Sequence, residues 1–418
     1  MQAWFRDVCM SVVNSFALAR VGRGNLCAGC GACAGRFPKM IEMQPAGDGW
    51  PRPMARAPLT AAQDEELSAF CPGLGQVALP SDRPPHPLWG AFVDMRRAWA
   101  TDADLRHRAA SGGALSAVLG YLLTSGRVDA VIQTAAALPP DPAHANRTIV
   151  STSGSDVAAA AGSRYAASSP LTGLSDLVAD GRRFAFVGKP CDAAALRALA
   201  LRDHGVARAF PVILSFFCAG VPSQRGTDAL VRAMGAEPDQ VTAFRYRGHG
   251  WPGQAVARLQ DGTERAMGYH ESWGGVLSKH LQHRCKICAD GTGTAADLSF
   301  GDPWETDAQG YPVFTDAPGQ SLVVVRTALG ADLLAEAEAA GAIASSAFDP
   351  AGLAAIQPGQ RNRRRALLAR LLALRLMGRP VPDYRGMALL AAARQERPMA
   401  LIRAFVGMAR RAWRGAGA

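Results

Sequence analysis

Three short apolar runs, each passing directly into a chemically reactive residue, set the strongest limit on how this chain can fold. Phe184-Ala185-Phe186-Val187 leads into Gly188-Lys189-Pro190-Cys191, Val212-Ile213-Leu214-Ser215-Phe216-Phe217 into Cys218, and Ala296-Asp297-Leu298-Ser299-Phe300 into Gly301-Asp302. Short apolar runs that alternate with helical stretches predict the buried strands of a mainly parallel α/β sheet. The intervening pattern predicts helices from Asp192 to Leu201, with Asp192 as its cap, and from about Ser223. Upstream, Leu115 to Leu123 reads as a helix behind Ser111-Gly112-Gly113, and Val128 to Ile132 as a short strand. Ligands of parallel α/β sheets collect beyond the carboxyl ends of the strands. Cys191, Cys218 and Asp302 therefore mark where the chemistry belongs.

Eight of the nine cysteines sort into two groups of four. Cys27-Ala-Gly-Cys30-Gly-Ala-Cys33 places three thiols at equal steps on a loop of small residues, so that three sulfurs can wrap one face of a cubane cluster. A bacterial ferredoxin sets its fourth cysteine before a proline a few residues on; here that slot is Phe37-Pro38, and the Cys-Pro pair occurs later as Cys71-Pro72. Cys71 is accordingly read as the fourth ligand. Structural zinc sites use cysteine pairs rather than an evenly spaced triple. The second group, Cys191, Cys218 and the pair Cys285-Lys-Ile-Cys288, is dispersed. Its residues alone leave packed thiols, a zinc or redox pair, and a second metal site all open. The pair is expected between an amphipathic helix, Trp273 to His283, and the strand that follows. Cys9, in an apolar run, reads as a packed thiol.

Charge is distributed unevenly. From Arg361 to Ala418 there are fourteen arginines, no lysine and two acids, Asp383 and Glu396. The tail thus accounts for the whole of the +10 net charge, and the remaining chain is close to neutral. A basic surface so far from the reactive positions argues against a nucleic-acid partner. Leu367, Leu368, Leu371, Leu372 and Leu374, interleaved with Arg370 and Arg375, predict an amphipathic helix able to lie on an anionic membrane or an acidic partner. No run reaches the length of a membrane span. The start resembles an export signal at Ala17-Leu18-Ala19, but Asp7 cancels Arg6. The chain reads as cytoplasmic, with the inner-membrane surface as a possible contact of the tail.

Several phrases together resemble a known family: LCAGCGACAG, ASGGALSAVLGYLL, GSRYAASS, FAFVGKPCDAAALRAL, ILSFFCAGVPS, FRYRGHGWPG, and CKICAD followed by DLSFGD. They look like the coenzyme F-420 (deazaflavin) hydrogenase/dehydrogenase beta-subunit family, which includes ferredoxin-dependent chlorophyll-pathway reductases. The resemblance implies a mainly parallel α/β flavin-binding core, with an N-terminal ferredoxin-like iron–sulfur module over residues 1–85. The core would run over 86–183 and 184–345; the helical, arginine-rich tail over 346–418, read from its own pattern, falls outside the shared motifs. The resemblance implies two [4Fe–4S] clusters, with Cys191, Cys218, Cys285 and Cys288 holding the second, and FAD as the third cofactor. The flavin would be lined by Ser111, Gly112, Gly113, Arg164, Tyr165, Ser168, Gly188, Lys189 and Pro190. The function expected is that of an iron–sulfur flavoprotein oxidoreductase, passing electrons between a ferredoxin-like donor or acceptor and an organic molecule. The alternative is a non-catalytic electron-transfer subunit of a larger redox complex. Lys189 stands where the family usually has a small hydroxyl residue, and a cation there would favour reduced cofactors. Asp302, His249, His270 and Glu271 are candidate proton donors, none assigned as catalytic.

Overall fold

The computed structural model describes residues 15–305 and 317–414. Cys9 and the first part of the N-terminal apolar run lie outside them. An eight-stranded sheet organises the chain: β1 Asp94–Ala100, β2 Ala130–Ala136, β3 Asn146–Ser151, β4 Phe184–Gly188, β5 Val212–Phe216, β6 Leu298–Gly301, β7 Ser321–Val325 and β8 Ile343–Ala347. Their spatial order is β8-β1-β7-β6-β5-β4-β2-β3. The four central strands β6, β5, β4 and β2 are parallel. The flanking pairs β6–β7, β7–β1, β1–β8 and β2–β3 are antiparallel. The sheet is therefore mixed, not mainly parallel as the sequence suggested. The expectation holds at the centre, where strands are buried on both faces, and fails at the flanks. There β3 and β8 are partly exposed and polar, with none of the apolar run that reveals a buried strand.

Both faces of the sheet are covered, which is why its central strands are apolar throughout. Phe184, Phe186 and Ile213 point to one side and join a core with α2, Pro190–Ala200, through Ala193 and Leu196. Ala185, Val187, Val212 and Leu214 point to the other and pack with α1, Ala114–Thr124, through Val118 and Leu122. This is the two-residue alternation of a strand, hidden in the sequence because both faces demand apolar residues. The helix α2 begins two residues earlier than expected. Pro190 takes its first position, so Cys191 lies in its first turn, and Asp192 bonds back to the Lys189 amide at 3.0 Å.

Between β5 and β6 the chain makes α3, Gln224–Ala233, capped by Ser223, and a three-stranded antiparallel sheet over Val241–Arg245, Gln254–Leu259 and Glu264–Gly268. The expected helix from Trp273 to His283 is instead a wide π-type turn at His270–Val276 followed by a 3-10 turn at Leu277–His280. The tail forms α4, Pro358–Leu376, and α5, Pro398–Trp413. The leucines of α4 divide between two faces, with Leu372 exposed and three others buried. Leu367, Leu371 and Leu374 share one core with Leu26, Cys30, Leu67 and Phe70 of the N-terminal segment. Beyond α4, Asp383–Arg385 pairs in parallel with Gly75–Val77. Among the described residues no helix is long and apolar enough to cross a membrane.

Asp297, at the start of β6, ties the central strands together. Its carboxylate accepts the Ile213 amide at 2.9 Å, the Arg197 guanidinium of α2 at 2.8 Å and the Thr327 hydroxyl at 2.9 Å. Asp297→Ala leaves the Arg197 cation and a strand amide without their buried acceptor, so urea unfolding should show a loss of about 3–5 kcal/mol. A loss of less than about 1 kcal/mol would contradict this role.

Candidate redox site

The first four cysteines come from three local structures. Helix Phe16–Gly24 stops at Asn25 in a left-handed conformation, and the chain turns inward through the fully buried Leu26. In the following loop Gly31 has φ +80°, and a Cβ there would sit 2.8 Å from the Thr172 side chain. Only glycine lets the loop lie so close to its neighbours. Cys33 belongs to the short helix Ala32–Arg36, and Cys71 caps the C-terminus of helix Ala61–Phe70. Cys27, Cys30, Cys33 and Cys71 line one small cavity, otherwise walled by apolar residues such as Leu18, Val21, Leu67 and Phe70. The Gly29 amide donates to the Cys27 sulfur at 3.3 Å. Burial and mutual repulsion push the thiols up: Cys30 well above its usual range, and Cys71 to about 11. Turning such thiols into thiolates requires positive charge in the cavity.

The second four meet although they are far apart in sequence. Cys191 and Cys218 follow the adjacent strands β4 and β5, and Cys285 and Cys288 lie on and just after the turn His283–Lys286. Together they line a second small cavity, with Arg284 and Arg363. The Val221 amide donates to the Cys285 sulfur at 3.3 Å, and burial pushes the Cys218 thiol to about 12. Arg284 is fully buried. One of its N–H groups donates to the Pro72 carbonyl at 2.7 Å, while its Nε and Nη1 find no acceptor among the described residues. Burial opposes its charge, but Tyr384 and the thiols of Cys288, Cys191 and Cys285 more than compensate and hold it protonated. Among the described residues no three His, Cys, Asp or Glu side chains converge closely enough to hold a single metal ion. The thiols stand around cavity walls instead.

A third and much larger space, a cleft of about 1560 Å³ including its open mouth, runs beyond the carboxyl ends of the central strands. Ser111, Gly113, Arg164, Tyr165, Ser168, Gly188 and Lys189 line it. Gly112 does not: it is pressed against the backbone of Gln320, 2.6 Å from where its Cβ would be. Pro190 lines the second cysteine cavity instead. The cleft and that cavity share Cys218, Gly220 and Val221, and the two cysteine cavities share Ala28. The three spaces thus lie in series.

Within the cleft the charged groups are largely committed to one another. Lys189 is not a bare cation: its ammonium is 2.7 Å from the Asp192 carboxylate and also reaches the Ser168 hydroxyl at 3.2 Å. Burial works against that charge, and Asp192 restores it. Arg164 donates to Asn146, Phe244 and Ala145 oxygens at 2.9, 3.1 and 2.7 Å, which leaves only its remaining N–H groups for a ligand. Asp302 accepts both ends of the buried Arg247 guanidinium at 2.7 and 2.9 Å, and the Trp251 indole at 3.3 Å. A carboxylate so bound has both oxygens occupied by the guanidinium and is fixed in position. His249, His270 and Glu271 are not among the cleft-lining residues.

The sequence matches the family profile of the coenzyme F420 hydrogenase/dehydrogenase beta subunit, N-terminal part, over residues 95–175, and its C-terminal part over residues 181–351. The chain belongs to that family. It is 26% identical over 311 residues to the coenzyme F420 hydrogenase subunit beta of Methanococcus voltae, covering 70% of this chain and 99% of that one. It is 25% identical over 256 residues to the F420-dependent formate dehydrogenase 1 subunit beta of Methanococcus maripaludis, covering 61% and 62%. In fold it resembles a chain of the F420-reducing [NiFe] hydrogenase complex from Methanosarcina barkeri, with a TM-score of 0.53 and 22% identity over 67% of this chain and 91% of that one. These relatives are subunits of oxidoreductases.

For this member of the beta-subunit family, the matched range includes the second cysteine set and the cleft residues except Gln357 and Gln360. The first cysteine set lies before it, and the arginine-rich tail after it. Three positions of the site were missed in the sequence. Arg247 and Trp304 form a cation–π contact at 5.0 Å, and Arg284 separates the cysteine cavities. Arg247 stood inside a quoted phrase, and Arg284 beside Cys285, yet nothing in a sequence distinguishes a buried arginine from a solvated one. Their partners predict opposite mutational costs. Arg247→Met strands the Asp302 carboxylate and should cost about 3 kcal/mol in urea unfolding. Arg284→Met removes one hydrogen bond but also two buried nitrogens whose N–H groups lack acceptors among the described residues, so the metal-free chain should change by no more than about 1 kcal/mol. Equal costs would contradict the assignment of the two charge environments.

Proposed function

We propose that this beta subunit is an iron–sulfur flavoprotein carrying electrons between a ferredoxin-like partner and an organic molecule in the cleft. The observation behind this is the series of shared walls: first cysteine cavity, Ala28, second cysteine cavity, Cys218, cleft. Cys27, Cys30, Cys33 and Cys71 would hold one [4Fe–4S] cluster, and Cys191, Cys218, Cys285 and Cys288 another, with FAD in the cleft. The donor sets fit. Four thiols around a wall suit a polynuclear cluster, and the polar and aromatic cleft suits a large flavin. When bound, these groups supply the one- and two-electron carriers of the reaction.

The protein's own residues bind, orient and set potential. The N-terminus of α1, reached through Ser111 and Gly113, opens onto the cleft and suits a phosphate. The Ser111 hydroxyl itself donates to the Gln320 carbonyl at 2.9 Å and fixes that turn. Tyr165, Tyr269, Trp273 and Trp304 supply the flat apolar walls. Arg284, with the N–H groups of its Nε and Nη1 left over between the cavities, favours added negative charge on either cysteine set. Lys189, neutralised by Asp192, contributes little net charge but fixes Ser168.

The relatives named above are subunits of larger enzymes, which favours the second reading: a subunit that moves electrons but turns over nothing by itself. Reduction by a dithionite-reduced ferredoxin, with and without a small organic acceptor, separates the two, since a wiring subunit turns over no acceptor alone.

Anaerobically reconstituted protein should carry about eight irons, falling towards half in Cys71→Ala and in Cys218→Ala, whereas Cys9→Ala changes nothing. An unaltered iron content and cluster signal in Cys71→Ala would rule out the first ligand set. Iron that never exceeds about four in the wild type would rule out the second. Denatured protein should release FAD, and Ser116→Trp, which fills the cleft from α1, should lower FAD retention by about tenfold or more. Release of FMN only, or of no flavin at full iron loading, would overturn the cleft assignment.

A further inference from the structure

The helix α5 has two apolar faces, and the fold uses only one. Phe405, Met408, Ala409 and Ala412 pack into the core that α4 shares with the N-terminal segment. On the outside, Met399, Ile402, Val406 and Trp413 are 61%, 52%, 37% and 82% exposed. At about 100° per residue these four fall within a sector of roughly 60°, a continuous stripe along a helix about 24 Å long. A single exposed apolar side chain needs no explanation, but an ordered stripe does. Arg403, Arg410 and Arg414 follow on one side of it at the same helical spacing, and no acid occurs after Glu396. The neighbouring helix adds exposed Leu372 and Leu376, and the Arg379 guanidinium reaches the Ala412 carbonyl at 3.4 Å, joining the C-terminal ends of the two helices.

We infer that the outer face of α5 is a docking surface for an anionic lipid bilayer. An apolar stripe beside a row of arginines, ending in an exposed tryptophan, is what a helix lying in the headgroup region requires. The charge fixes the sign of the partner. The exposure of all four side chains fixes its form, since a lipid surface takes up such a ridge without a matching groove. This surface is independent of the cofactors proposed above. It also moves the main membrane-facing element from α4, whose Leu367, Leu371 and Leu374 are core, to α5.

The test is co-sedimentation of the full chain with vesicles of phosphatidylcholine containing about 30 mol% phosphatidylglycerol, against phosphatidylcholine alone. Binding should be about tenfold tighter or more to the anionic vesicles and should weaken as salt is raised. The double change Ile402→Glu with Val406→Glu, and separately Arg403→Glu with Arg410→Glu, should each lower it by about tenfold or more. All four positions are on the outer face, so thermal melting should stay that of the wild type, which separates lost docking from lost folding. No binding to anionic vesicles, equal binding to neutral ones, or wild-type binding by Ile402→Glu with Val406→Glu would overturn the inference. So would tight, stripe-dependent binding to an acidic ferredoxin in place of vesicles, which would give the surface to a protein.

Discussion

Parallel pairing at the centre of the sheet is the constraint from which the rest follows. Strands β2, β4, β5 and β6 all run the same way, so their carboxyl ends share one edge. The chain leaving β4 carries Lys189 and Cys191, that leaving β5 carries Cys218, and that leaving β6 carries Asp302. No antiparallel arrangement of the same strands would deliver these side chains to one place, because alternate ends would face opposite edges. Asp297 locks two of the strands to each other and to α2 at the opposite end of β6. The position of the second cysteine set and that of the cleft are thus one fact of topology.

Buried charge is handled in three different ways around that edge. Asp302 and Arg247 form a closed, bidentate pair, stacked upon by Tyr269 and Trp304. Lys189 and Asp192 form another, joined by the Asp192 bond to the Lys189 amide. Among the described residues no carboxylate pairs with Arg284; it donates to the Pro72 carbonyl at 2.7 Å and stands 5.7 Å from the Tyr384 ring. The first two arrangements build walls and would resist a change in local charge. The third is open to compensation by whatever negative charge the cysteine cavities acquire. This asymmetry places the electrostatically responsive part of the molecule between the cysteine sets rather than in the cleft.

The tail completes the structure instead of hanging from it. Leu367, Leu371 and Leu374 of α4 fill the core beneath the first cysteine loop, and Gln360 and Arg363 donate to the Cys218 carbonyl at 3.1 and 2.8 Å. Residues beyond the family's matched range therefore brace both cysteine sets. The outer face of α5 is what remains once that bracing is satisfied.

Much of this was legible in the sequence by itself. Buried strands announce themselves as apolar runs, so β4, β5 and β6 and the residues at their ends could be read directly. The equal spacing of Cys27, Cys30 and Cys33 and the charge asymmetry of the tail are likewise linear properties. Tertiary structure decided what depends on contact between distant segments. The edge strands β3 and β8 are polar and could be found only through their partners. The leucines of α4 read as an amphipathic stripe, and only the N-terminal segment packed on Leu367, Leu371 and Leu374 makes those three core. Whether an arginine is solvated, paired or stranded is set by groups tens to hundreds of residues away: Arg247 by Asp302, and Arg284 by Pro72 and the thiols around it. Local pattern fixes which face of an element is apolar, but only long-range packing determines what that face, or a buried charge, will meet.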